Sequence, residues 1–225
     1  MIQKKTATNI SEYLALIRER GYSCCYRGQV EDWPLIPSIS RLKDKLFIDG
    51  LLEVEEEIIS KFRQYSYPYI ENKKSSYFDL IIQSQHYGLP TRLLDFTTNP
   101  LIALYFAVEK NSNSKSGVVW AIDEFSEDKE PNLNLDEIVF YEPNHINERI
   151  INQKSVFAVF PLKRNTEEIE PLENQNMRIL QKITIPFNSK EKIKDELNFL
   201  GINEMSIYPG MEGIVNQIRK DLILK

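Results

Sequence analysis

Apolar residues recur at helical spacing through the first half of the chain. Tyr13, Leu14, Leu16 and Ile17 follow Ser11 and predict a short amphipathic helix. Gly21 ends it, because glycine enters the left-handed cap conformation without steric cost. Positions 47, 51, 54, 58, 62 and 65 share one face of a longer helix between Leu46 and Tyr65, with Glu53, Glu55, Glu56 and Glu57 left for solvent. Ser76 to Gln85 predicts a third helix, with Phe78, Ile81 and Ile82 on its buried stripe. Asn99 before Pro100 predicts a helix start: the amide side chain caps free N–H groups, and the fixed φ of proline suits the first turn. The residues that follow, Leu101 to Val108, are apolar all round, as a helix enclosed by the fold would be.

Strand patterns dominate the rest. Tyr22 to Tyr26 predicts an early strand, and Leu93 to Phe96 a buried extended segment or tight turn. Later strands are expected over Gly117 to Ile122, Glu137 to Tyr141, Ser155 to Phe160 and Ile179 to Ile185. A short helix between Asn144 and Asn152 interrupts them, and Asn188 with Glu191 resembles a capping box for a later helix that Gly201 ends. The polar stretches Asp123 to Asn134 and Lys163 to Asn176 read as exposed loops. Strands following helices, without regular alternation, predict an α+β fold: one domain over residues 1–225, with N-terminal helices around a mixed or antiparallel sheet.

Composition narrows the function classes. The chain of 225 residues is 42% hydrophobic, enough for one sizeable core. Its 28 basic against 33 acidic residues, net charge −5, give no overall attraction to nucleic acid or an anionic membrane, though a local groove can still be positive. Cys24 and Cys25 are adjacent, a strained spacing for a disulfide, so a reducing cytoplasm is expected. No apolar run approaches the roughly 20 residues of a membrane span, and Met1 to Thr6 lacks a signal-peptide core, so no membrane association is expected. With only His86 and His145 and no Cys-x-x-Cys or His-Glu-x-x-His, a metal centre is not expected. Gly-x-Ser-x-Gly, P-loop and Gly-x-Gly-x-x-Gly patterns are absent as well.

Candidate chemistry concentrates in two places. Arg27, followed by Gly28, can offer a guanidinium fork to a phosphate while glycine lets a ligand approach the backbone. It can equally pair with Glu31, Asp32 or Asp95. The second place is Gln85 to Thr97: His86 suits acid–base work or a turn hydrogen bond, Arg92 and Asp95 are spaced for an ion pair, and Thr91 and Thr97 suit turn or cap hydroxyls. Tyr26, Trp33 and Tyr87 can stack on a base or pack in the core.

Tyr26-Arg27-Gly28-Gln29, the Trp33 to Arg41 segment and Gln85 to Asp95 together resemble the signatures of the FRG domain family, named for its aromatic-Arg-Gly motif. Gln153 to Pro161 and Ile207 to Gly213 resemble it too, although the family typically has Asp where this chain has Gly210. The resemblance implies a bacterial or phage protein and gives no reaction by itself. The order of residue types also resembles ADP-ribosyltransferases. That resemblance implies NAD as substrate, without a metal: Arg27 holds it, His86 or Ser155 positions the nicotinamide ribose, and Glu204 supplies the carboxylate. Tyr26, Gly28, Gln29, Tyr87, Thr91 and Arg92 complete the implied nucleotide site. Glu204 enters through an apparent strand alternation of Ile202, Glu204 and Ser206, with Glu212 as its substitute and Glu109 as a third candidate.

Three readings follow. The first is an NAD-dependent ADP-ribosyltransferase-like toxin or phage-defence effector that modifies nucleic acid or protein. The second is a non-catalytic module binding a nucleotide or partner. The third is a metal-independent ribonuclease using His86 with Arg27 or Arg92. The enzymatic readings require Arg27 and His86 to open onto one hollow.

Overall fold

A computed structural model describes residues 2–19, 25–45, 50–69, 76–110, 114–123, 129–144 and 147–222. Its strands are β1 (Gln3–Thr6), β2 (Cys25–Gln29), β3 (Leu93–Thr97), β4 (Gly117–Ile122), β5 (Val139–Tyr141), β6 (Ser155–Val159) and β7 (Ile179–Ile185). They form one mixed sheet in the order β1-β7-β4-β2-β3-β6-β5, parallel only between β1 and β7. The helices are α1 (Ile10–Arg18), α2 (Leu51–Ser66), α3 (Tyr77–His86), α4 (Pro100–Val108), α5 (Glu148–Gln153), α6 (Phe187–Phe199), α7 (Glu204–Ile207) and α8 (Met211–Leu222). The fold is α+β, as the pattern predicts. No helix among the described residues is long and apolar enough to cross a membrane.

Strand register divides the side chains into three packing groups. Tyr26, Val119, Ala121 and Ile183 point to one face and pack with α1, α4, α6 and α7. On that same face, Leu93, Phe157, Val159 and Tyr141 pack with α2, α3 and α5. The opposite face buries Leu94, Phe96, Trp120 and Phe140 beneath Leu35 and Leu172. One sheet face therefore carries two helical layers side by side, and the seam between them falls where β2 meets β3.

The enclosed helix α4 begins as predicted, with the Asn99 side chain accepting from Leu101 N at 2.9 Å and Pro100 in the first turn. Two glycines let it lie against the sheet. A Cβ at Gly28 would stand 1.8 Å from the Ala103 carbonyl oxygen, and one at Gly117 would stand 2.1 Å from that of Ala107. The missing side chain of Gly28 thus makes room for α4.

Other expectations shift for local reasons. Ser76 and Asp79 form a reciprocal capping box for α3, and Gly201 turns the chain after α6 at φ 81°. Asn188 does not cap: α6 opens on Pro186 with no side-chain cap, which leaves Asn188 inside the first turn. The supposed strand at 202–206 is a cap and a helical turn, since the Asn203 side chain accepts from Met205 N and Ser206 N to open α7. The 3-10 segment Ser38–Lys45, strand β1 and helix α8 lie outside the predicted elements. Gly21 and the first residues of the expected early strand lie outside the described residues.

Candidate active site

The register of β2 with β3 is limited to Tyr26 opposite Thr97. Next to that pair, Arg27 Nη1 donates to the Asp95 carbonyl oxygen at 2.6 Å. Its Nε is buried without a hydrogen bond. The Arg27 side chain remains 21% exposed, and its guanidinium lies 4.0 Å from the Asp95 carboxylate, which is 60% exposed. Burial lowers the Arg27 pKa; Asp95 opposes that effect and nearby Arg41 adds to it.

A polar relay fixes Asp95. The Thr91 hydroxyl donates to Gln85 Oε1, and Gln85 Nε2 donates to Asp95 Oδ1 at 2.9 Å. Thr91, fully buried, also accepts from Leu93 N at 3.2 Å, so it positions the relay from beneath the surface.

Three adjoining hollows open along the seam. One of about 200 Å³ is bordered by Tyr26, Arg27, Gly28, Asp95, Phe106, Arg149 and Gln153, among others. The next, about 90 Å³, shares Asp95, Arg149 and Gln153 with it and adds Gln85, His86 and Ser155. The outermost, about 240 Å³, shares His86, Asn147 and Arg149 with the second and reaches Tyr208. Arg27 borders the first hollow and His86 the second and third, so the two residues open onto adjoining hollows joined at Asp95, Arg149 and Gln153, and none of the three is bordered by both. Arg149 touches all three hollows, lies over the Tyr208 ring at 5.4 Å from its centroid, and makes no ion pair among the described residues.

Several expected site residues sit elsewhere. Arg92 does not pair with Asp95. It is sealed against Glu55, with their side chains 1% and 0% exposed, through Nε to Oε2 at 2.6 Å and Nη2 to Oε2 at 2.5 Å. Gln29 is buried and accepts from Trp120 Nε1 at 3.3 Å. Tyr87 is exposed at the turn after α3 and does not border the three hollows. Glu204 borders none of the three hollows. Burial raises the phenol pKa of Tyr105, and the charge of Glu204 raises it further, although the Tyr105 hydroxyl closes no hydrogen bond. Glu109 accepts from the Tyr208 hydroxyl at 2.5 Å; burial first and that carboxylate second hold the phenol well above its ordinary range. Glu212 falls within α8, and its side chain lies outside the described residues.

Arg149 and Gln153 were the unforeseen members. They are spaced one helical turn apart on α5, so a polar face toward the fold was legible once that short helix was recognised. No group of three or more His, Cys, Asp or Glu among the described residues converges as a metal site.

Residues 22–116 match the family model of the FRG domain. The chain carries an FRG domain. No curated protein and no solved structure matches the chain. The FRG match includes β2, α3, β3 and α4, hence Arg27, Gln85, His86 and Asp95. Arg149 and Gln153, on the facing helix, follow it in sequence.

Proposed function

We propose that the cleft binds NAD and transfers its ADP-ribosyl group to an acceptor on a nucleic acid or protein. The observation that carries this reading is the presence of two arginines and one fixed carboxylate along one groove: Arg27, Arg149 and Asp95. Guanidinium groups suit a diphosphate because their planar forks present paired N–H donors. A phosphate oxygen near Arg27 would also supply an acceptor for its orphan Nε, relieving an unsatisfied buried donor worth about 1–3 kcal/mol. The three hollows, about 200, 90 and 240 Å³, suit a molecule laid along the seam.

In the transfer, the bond between ribose C1′ and the nicotinamide nitrogen breaks and nicotinamide leaves neutral. The bond from C1′ to the acceptor forms, and the acceptor loses one proton. In this reading Asp95, rather than Glu204, stabilises the positive charge developing on the ribose. His86, bordering the outer hollows, takes the proton from an incoming hydroxyl or amine.

Calorimetry with NAD and mass spectrometry of released nicotinamide test the two steps separately. Arg27→Ala weakens binding at least about tenfold; Asp95→Asn keeps binding and stops release. Absence of binding to millimolar NAD contradicts the nucleotide assignment, whereas release that persists in Asp95→Asn contradicts the carboxylate role. That Glu204 borders none of the three hollows supports a second reading, a nucleotide-binding module without transfer, which predicts NAD binding with no nicotinamide released by the unmutated protein.

A further inference from the structure

Helix α8 is turned the opposite way from an ordinary surface helix. It buries Gly213 and Gln217, while Met211, Ile214, Val215, Ile218 and Leu222 face outward, Met211 and Leu222 with 73% and 77% exposure. A surface helix normally hides its apolar stripe and presents polar residues. Here the inward side is fixed by close packing: a Cβ at Gly213 would stand 1.8 Å from the Tyr208 carbonyl oxygen. The orientation therefore follows from backbone contact with the turn after α7. Met205 on the neighbouring α7 is exposed as well.

We propose that this face is an interface for a second copy of the chain, with the two α8 helices packed antiparallel. Met211, Val215, Ile218 and Leu222 follow the alternating four- and three-residue steps of a coiled-coil seam, so a helix is the complementary shape. An antiparallel pair sets the N-terminal end of each helix dipole against the C-terminal end of the other, while a parallel pair aligns like with like. A two-fold axis at the middle of the seam places Met211 opposite Leu222 of the other copy and Val215 opposite Ile218. With about 100 Å² covered per outward side chain, the two helices bury roughly 1,000 Å² in total, near the lower limit of a specific interface. The association is accordingly reversible and concentration-dependent.

Sedimentation equilibrium of the full chain from 1 to about 200 µM reads the association directly. A monomer–dimer equilibrium is expected, and Ile218→Glu weakens it at least about 30-fold, as loss of a central apolar anchor does. Its thermal midpoint should stay near that of the parent because Ile218 already meets solvent. For orientation, Val215→Cys and Ile218→Cys proteins are oxidised separately and mixed, against the unmutated chain as background. Preferential cross-linking between the two variants supports the antiparallel pair. Preferential cross-linking of each variant to itself, or a monomer at every concentration, overturns it.

Discussion

Two arginine–carboxylate pairs lie on neighbouring parts of this molecule and have opposite surroundings. Arg92 and Glu55 are sealed, with additional bonds from Arg92 N to Glu55 Oε1 at 2.8 Å and from Arg92 Nη1 to the Leu133 carbonyl oxygen at 3.3 Å. Arg27 and Asp95 stand 4.0 Å apart beside an open hollow, with one guanidinium donor unsatisfied. The sealed charges complete one another and anchor α2 to the start of β3. The open charges leave bonding capacity for a ligand. Burial and saturation, more than residue type, separate the structural pair from the candidate site.

Breaking the sealed pair has the largest expected effect. Arg92→Ala leaves a buried carboxylate unpaired and lowers unfolding free energy by about 3–5 kcal/mol, measured by urea denaturation. Retention of the parental midpoint would contradict the structural assignment. Gly28→Ala comes next: its new Cβ collides with the α4 backbone, at a cost of at least about 1–3 kcal/mol in the same measurement. Arg27→Ala removes a single bond to the Asp95 carbonyl and costs about 1 kcal/mol, so its main effect falls on ligand affinity.

The smallest effect at neutral pH sharpens the sealed side. Burial, followed by the charge of Glu55, raises the Tyr77 phenol from its ordinary 10.0 to about 12, and its hydroxyl is an unsatisfied buried group. The phenol keeps its proton longer folded than unfolded, so this contribution is intact below about pH 10 and is lost as pH rises toward about 12. Tyr77→Phe should leave the neutral urea midpoint unchanged or raise it slightly, and should reduce the decline in that alkaline window.

Local chemistry explains which parts of the fold were legible. Asn99-Pro100 marks a helix start through capping chemistry within adjacent residues, and β4 and β7 are continuous strand-forming runs, so neither needed knowledge of distant residues. The partner of Arg92 was not local. Glu55 lies on a helix whose acidic run looks solvated in sequence, and only the packing of α2 against α3 turns that side chain inward. The alternation around Glu204 was misleading for a related reason: an Asn cap and one helical turn can mimic a strand over five residues. For the cleft, the motif residues Arg27 and His86 were legible, whereas Arg149 reaches them from a short helix that becomes their neighbour only through the sheet order β3-β6-β5.

The central claim is that the open pair serves a ligand while the sealed pair serves the fold. Calorimetric titration of NAD into the parent and Arg27→Ala proteins, with their urea midpoints measured in parallel, tests it most directly. The account predicts that the parent binds and the variant loses at least about tenfold in affinity, as removal of a charged hydrogen bond does, while remaining folded. Equal NAD affinity in the two folded proteins, or no binding by either, would contradict it.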